Sequence, residues 1–259
     1  PPAVPAISVQ GGTLAFGNQV VNTISSEQNY TVSGINLSAN IVITAPSGYE
    51  VSTTSGSGFG SSVSLVPSGG TVNNTTIYVR FTPNNVAAFN ANITHTSTGA
   101  TQQDKALTGT GTAPGNPATF SATASSSTAI SLAFTLNAQS KPVVIVRNTD
   151  NNFTTPSGAP PSIGQAFAGG TVVYNGSSSP QSNTGLNGGT LYYYRAFSYD
   201  NVNGHFYSSG SSASATTIPH APNATTETSR SFLGFTANWD AATGASSYRL
   251  DVSYYSDFS

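Results

Sequence analysis

Hydrophobic and polar residues alternate along this chain with a period of two. Tyr30 and Val32 alternate with polar neighbours, Ile77, Val79 and Phe81 with Tyr78 and Arg80, and Phe89, Ala91 and Ile93 repeat the pattern. Successive side chains of a strand point to opposite faces, so each run predicts a strand with one buried and one wet side. Turn residues punctuate the runs: Ile41 and Ile43 lead through Pro46-Ser47-Gly48 into Tyr49 and Val51. Short strands bounded by turn signals over roughly a hundred residues predict an antiparallel sandwich.

A second set of runs starts after Ala113-Pro114-Gly115-Asn116-Pro117. Ile130, Leu132, Phe134 and Leu136 alternate, whereas Val143-Val144-Ile145-Val146 is apolar throughout and predicts a central strand buried on both faces. The segment from Asn148 to Phe167 is long, turn-rich and poorly periodic, which predicts an unusual loop. A loop rich in Gly and Asn, Gly185 to Gly189, then feeds the aromatic run Leu191 to Asp200. Tyr192, Tyr194 and Ala196 share one face of it, and Tyr193, Arg195 and Phe197 the other. Asn203-Gly204 offers the φ > 0 pair that a tight hairpin needs.

A third set follows Ile218-Pro219-His220-Ala221-Pro222. Leu233, Phe235, Ala237 and Trp239 alternate as one expected strand, and Tyr248, Leu250, Val252 and Tyr254 as the next. The expected organisation is a linker at 1–6, a sandwich at 7–112, a linker at 113–117, a sandwich at 118–217, a linker at 218–222 and part of a further module at 223–259. The prolines make these linkers stiff.

Two resemblances sharpen the fold. Leu186, Gly189-Thr190 and Tyr192 resemble the penultimate strand of a fibronectin type III module; this implies that Tyr192 is the "tyrosine corner", its hydroxyl tied to backbone just upstream. Phe134 stands where that family carries its core tryptophan, and Trp239 takes the same place in the third set. Leu14-Ala15-Phe16-Gly17, Ala45 to Ser52, Ile77 to Pro83 and Leu107-Thr108-Gly109-Thr110-Gly111 resemble an immunoglobulin-like repeat of large secreted bacterial surface proteins. That resemblance implies a spacer module without chemistry of its own. The expected fold is all-β: an Ig-like sandwich, a fibronectin type III sandwich, and an incomplete fibronectin type III module.

Composition narrows the function. Charged residues are 6% of the 259, against about 25% in ordinary soluble domains, and Ser, Thr, Asn and Gly take their place. The 12 Tyr and 13 Phe, set in alternating runs, argue for a folded chain rather than disorder. Seven Lys and Arg with a net charge of −2 give no cationic footprint for nucleic acid. No apolar run reaches the ~20 residues of a membrane-spanning helix. With no Met at position 1 and no leader pattern, the chain reads as a mature or trimmed product. Cysteine is absent, which removes disulfides and thiol chemistry and favours a bacterial surface or medium over a small secreted animal domain. Asn-x-Ser/Thr triplets at Asn29, Asn36, Asn73, Asn74, Asn92, Asn152, Asn175 and Asn223 are what so Asn-, Ser- and Thr-rich a chain produces by chance.

Candidate chemistry is sparse. His95, His205 and His220 fall in different contexts without metal-ligand spacing, and no Asp/Glu pair sits in a glycosidase pattern. Asp200 to Gly204 faintly resembles a calcium loop but lacks an acceptor at its third position, so a hairpin turn is the simpler reading. No catalytic role, cofactor or metal is expected. Outward aromatics remain: Tyr193, Phe197, Tyr199 and Tyr255 form a candidate interaction surface able to stack on sugars or pack on a neighbour. Leu233, Phe235, Trp239, Tyr248, Leu250, Val252 and Tyr254 form a second one, because a module stopping at its third of seven strands leaves apolar faces without an opposing sheet. Either the protein continues, which is the favoured alternative, or another chain completes the module.

The expected function is therefore a non-catalytic structural or adhesive segment of a secreted bacterial surface protein, forming a rod or extracellular fibre. The alternative is a set of accessory modules, spacer or carbohydrate-binding, of a larger secreted hydrolase. Expected partners are further copies of the chain or further domains of the same protein, with glycans as a second class.

Overall fold

The computed structural model describes residues 3–202 and 205–253. All regular structure among them is β, and the chain divides into two compact units, Pro1–Pro114 with Asp200–Phe206, and Gly115–Tyr199 with Tyr207–Ser259.

The first unit holds β1 (Ala6–Val9), β2 (Leu14–Val20), β3 (Gln28–Ile35), β4 (Ile41–Thr44), β5 (Tyr49–Ser52), β6 (Ser62–Leu65), β7 (Val72–Phe81), β8 (Ala91–Thr96) and β9 (Gln103–Thr112). They form two sheets, β1-β3-β7-β5 and β2-β9-β8-β4-β6. The alternation decides which residues meet between them. Tyr30 and Val32 of β3 and Ile77, Val79 and Phe81 of β7 turn inward against Ile41, Ile43, Ile93 and Leu107. Phe89 lies just before β8 and packs edge-on against Phe81, with ring centroids 5.4 Å apart. Pairing is antiparallel apart from β2 and β9, which run parallel. A parallel pair needs a long crossover, and here the whole unit lies between the two strands.

The Thr-Gly-Thr-Gly ending of β9 has a packing cause. A Cβ at Gly109 would lie 2.8 Å from both the Phe81 ring and the Tyr49 hydroxyl, and one at Gly111 would collide with the Asn85 carbonyl oxygen. These two positions belong to glycine because of what passes over them, not because of their backbone angles.

Apart from Asp200 and Phe206, which fall to the first, the second unit holds β10 (Thr119–Ala124), β11 (Ile130–Thr135), β12 (Val143–Asn148), β13 (Ala166–Phe167), β14 (Gly170–Gly176), β15 (Gln181–Asn183), β16 (Leu191–Asp200), β17 (Phe206–Tyr207) and β18 (Ser211–Thr216). A β10-β11-β15 sheet faces a larger one ordered β13-β14-β12-β16-β17, with β18 also on β16. Ile130, Leu132 and Phe134 meet Val143, Ile145, Tyr192, Tyr194 and Ala196 in the core between the sheets. Phe134 lies in this core and tilts against Tyr174 at 5.6 Å. All four residues Val143 to Val146 are fully buried, because the outer face of the sheet is covered as well.

The last described piece is a hairpin of β19 (Ala224–Ser231) and β20 (Gly234–Trp239), which pair only with each other. Leu233, expected on the strand, sits in the turn. Residues 248–253, expected in the next strand, are not strand. The physical reason is the missing ladder: an isolated hairpin offers this segment no core, and a strand has no hydrogen-bond partner of its own.

Candidate interaction surfaces

The tyrosine corner forms. The Asn187 amide donates to the Tyr192 hydroxyl oxygen at 3.0 Å, and the Arg147 guanidinium lies 5.3 Å from the centre of the Tyr192 ring. Burial pushes the phenol of Tyr194 up, and its hydroxyl donates to Asn183 Oδ1 at 3.0 Å.

The expected outward aromatic face is different from its sequence reading. Tyr193 is half-buried, but Phe197 is only 2% exposed and Tyr199 only 7%. Both belong to an apolar cluster with Val144, Val146 and Val172, against which Phe153, Phe167 and Tyr207 pack. The cause is the long loop between β12 and β13, which folds over this face. Thr154 N donates to Ala168 O at 2.9 Å, the Asn148 amide reaches Gly169 O at 2.7 Å, and the Tyr207 hydroxyl donates to Gly158 O at 2.7 Å. Tyr255 lies outside the described residues, as do Tyr254 and Asn203-Gly204.

Where that loop meets β16 and β17 it leaves a groove of about 410 Å³. Phe153 to Pro156 make one wall; Arg195, Phe197 and Tyr207 to Ser209 make the rest. Arg195 is its only charged residue. Nη2 donates to Ser209 O at 2.8 Å, Nε is shielded and meets no acceptor, and no carboxylate pairs with the side chain among the described residues.

The hairpin carries the second candidate surface. Phe232 and Leu233 are fully exposed, Phe235, Leu250 and Val252 are more than half exposed, and Trp239 and Tyr248 stand at 38% and 39% with rings 5.6 Å apart. Tyr248 is held by the Ala242 amide, which donates to its hydroxyl at 2.7 Å.

The three histidines do not converge. His95 is fully buried in the first unit. Its Nδ1 bonds the Gln103 carbonyl at 3.0 Å, so Nδ1 carries the proton and Nε2 accepts from the Tyr30 hydroxyl at 2.7 Å. Lys105, also buried, donates to Gln10 O at 2.8 Å and lies 5.1 Å from the centre of the Tyr30 ring. Burial lowers the pKa values of His95 and Lys105 and pushes the Tyr30 phenol up. Nothing in the sequence marked this cluster except a histidine and a lysine at inward positions of apolar strands. Among the described residues no group of three or more His, Cys, Asp or Glu is placed to hold a metal ion, and no helix is long and apolar enough to cross a membrane.

The chain matches no known protein family and no curated protein. Among solved structures it is similar to a two-domain fibronectin type III segment of chicken tenascin (13% identity, TM-score 0.35, covering 83% of this chain and 100% of that one). It is also similar to the chicken CNTN1 FN1-FN3 domains (15%, TM-score 0.32, covering 84% and 68%) and to FN3tt (16%, TM-score 0.31, covering 41% and 97%). At these scores the likenesses add nothing to the strand pairing, and it is the pairing that carries the fold assignment: an all-β chain of successive sandwiches.

Proposed function

We propose that this chain is a non-catalytic structural or adhesive segment of a secreted bacterial surface protein, a building block of a rod or extracellular fibre. The observation that carries the reading is the hairpin β19–β20, whose Phe232, Leu233, Phe235 and Trp239 stand in solvent beside unpaired strand edges. Burying a side chain of this size is worth about 1.5–3 kcal/mol, so such a face calls for a covering partner, a further part of the protein or another copy. The low charge and hydroxyl-rich composition suit a scaffold.

The test is fractionation of the source cells with intact mass spectrometry and negative-stain microscopy of the native material. Elongated particles or filaments at the cell surface or in the medium are the expected result. A cytoplasmic protein of compact, monodisperse particles would overturn the proposal.

A further inference from the structure

The groove on the second unit holds a cation with no carboxylate partner among the described residues. Arg80 is paired with Glu50, Arg230 with Glu227 and Arg249 with Asp251; Arg195, like Arg147, has no carboxylate partner among the described residues, and its guanidinium meets the Ser209 carbonyl and lies 5.9 Å from the centre of the Phe197 ring. A guanidinium without a carboxylate partner, set in a concave site, offers its terminal N–H donors to an anion as charge-assisted hydrogen bonds. The rest of the lining is mostly hydroxyl and aromatic: Thr154, Thr155 and Ser209 are exposed on the rim with the rings of Phe153 and Tyr207 beside them, whereas Ser208 is buried and its hydroxyl oxygen accepts from Ser198 N at 3.0 Å. The walls are preformed, since backbone and hydroxyl bonds to Ala168 and Gly158 hold the loop down. At about 410 Å³ the space lies at the small end of ligand sites, which run to about 300–1,000 Å³.

We propose that this groove binds a short acidic saccharide, its carboxylate on Arg195, its hydroxyls on the Thr and Ser rim, and the apolar face of a sugar ring against Tyr207 and Phe153. The planar guanidinium matches a carboxylate in geometry. Because Nε is shielded, the contact falls to the terminal guanidinium nitrogens. A polyhydroxylated ring can meet this rim with its hydroxyls and the aromatic side chains with its apolar face at the same time. The assignment does not depend on the scaffold reading, since a spacer needs no ligand and a ligand site needs no fibre.

The test uses the full chain and three probes: trigalacturonate, its methyl ester, and trialanine. Isotope-edited NMR of the unmodified protein should show saturable shifts with trigalacturonate at Thr154, Thr155, Arg195 and Tyr207–Ser209. Affinity should fall at least about tenfold for the methyl ester and for Arg195→Gln, and should weaken with added salt. Should Arg195→Gln unfold, the acid-against-ester comparison on the unmodified chain decides alone. Absence of saturable shifts, shifts elsewhere, equal binding of acid and ester, or tighter binding of trialanine would each overturn the proposal.

Discussion

The Tyr192 hydroxyl oxygen accepts the backbone amide of Asn187 at 3.0 Å, closing the five-residue approach to β16 back onto the strand it feeds. The contact joins a loop, a strand and the core, because the ring of Tyr192 packs among Leu132, Leu186 and Tyr194. Tyr192→Phe keeps the ring and removes the acceptor, leaving a part-buried N–H unsatisfied. The expected loss is about 1–3 kcal/mol from the unfolding transition of the second unit, read by urea denaturation with a probe in each unit, with the first unit unchanged.

Gly111→Ala should destabilise the first unit by about 1–3 kcal/mol or more, because the new methyl collides with the carbonyl of Asn85. Gly115→Ala meets nothing within 4 Å and should stay within about 0.5 kcal/mol of the parent. Calorimetry of the pair checks the contrast; equal melting temperatures would mean that the Asn85 segment moves aside freely.

Acid should weaken the first unit through His95. Burial is the main cause of its lowered pKa; the Gln103 carbonyl and Asp104 oppose the shift, and Lys105 adds to it. The unfolded chain protonates this histidine near its ordinary value of about 6.5, whereas the folded chain does so only at lower pH. The stability held by the neutral ring is therefore complete above about pH 6.5. It falls as pH drops towards the folded pKa, by at most about 1.4 kcal/mol per pH unit. Denaturation midpoints between pH 7 and 5 measure the slope, and His95→Gln should flatten it.

Exposed apolar side chains on the hairpin should drive association. Sedimentation velocity of the 259-residue chain should show concentration-dependent assembly, and Phe232→Ser with Leu233→Ser should shift it to higher concentration. Identical sedimentation of parent and variant would show that these two residues take no part.

Much of this was legible in the sequence, for reasons that differ by element. Ile77, Val79 and Phe81 point inward as their alternation requires, and Val143 to Val146 are buried on both faces as an unbroken apolar run requires. The tie of Tyr192 to the backbone just upstream was legible only through the resemblance of Leu186, Gly189-Thr190 and Tyr192 to a fibronectin type III strand. Phe197 and Tyr199 were not: a period of two assigns them a face but cannot show that a loop some forty residues upstream in the chain will cover it. The segment 248–253 alternates like a strand, yet alternation supplies no neighbour to pair with. His95 and Lys105 occupy inward positions, but the Tyr30 hydroxyl and the Gln10 carbonyl that satisfy them come from β3 and the end of β1.

The two apolar clusters on opposite faces of the β12–β16 sheet give the second unit two separately breakable layers. The core between the sheets holds the sandwich, whereas the outer cluster holds only the covering loop. Under mechanical load or mild denaturant the loop can peel away at a lower threshold than the sandwich, as locally unfolding segments do. The second unit would then yield in steps, giving up its cover and the groove beneath it before its fold.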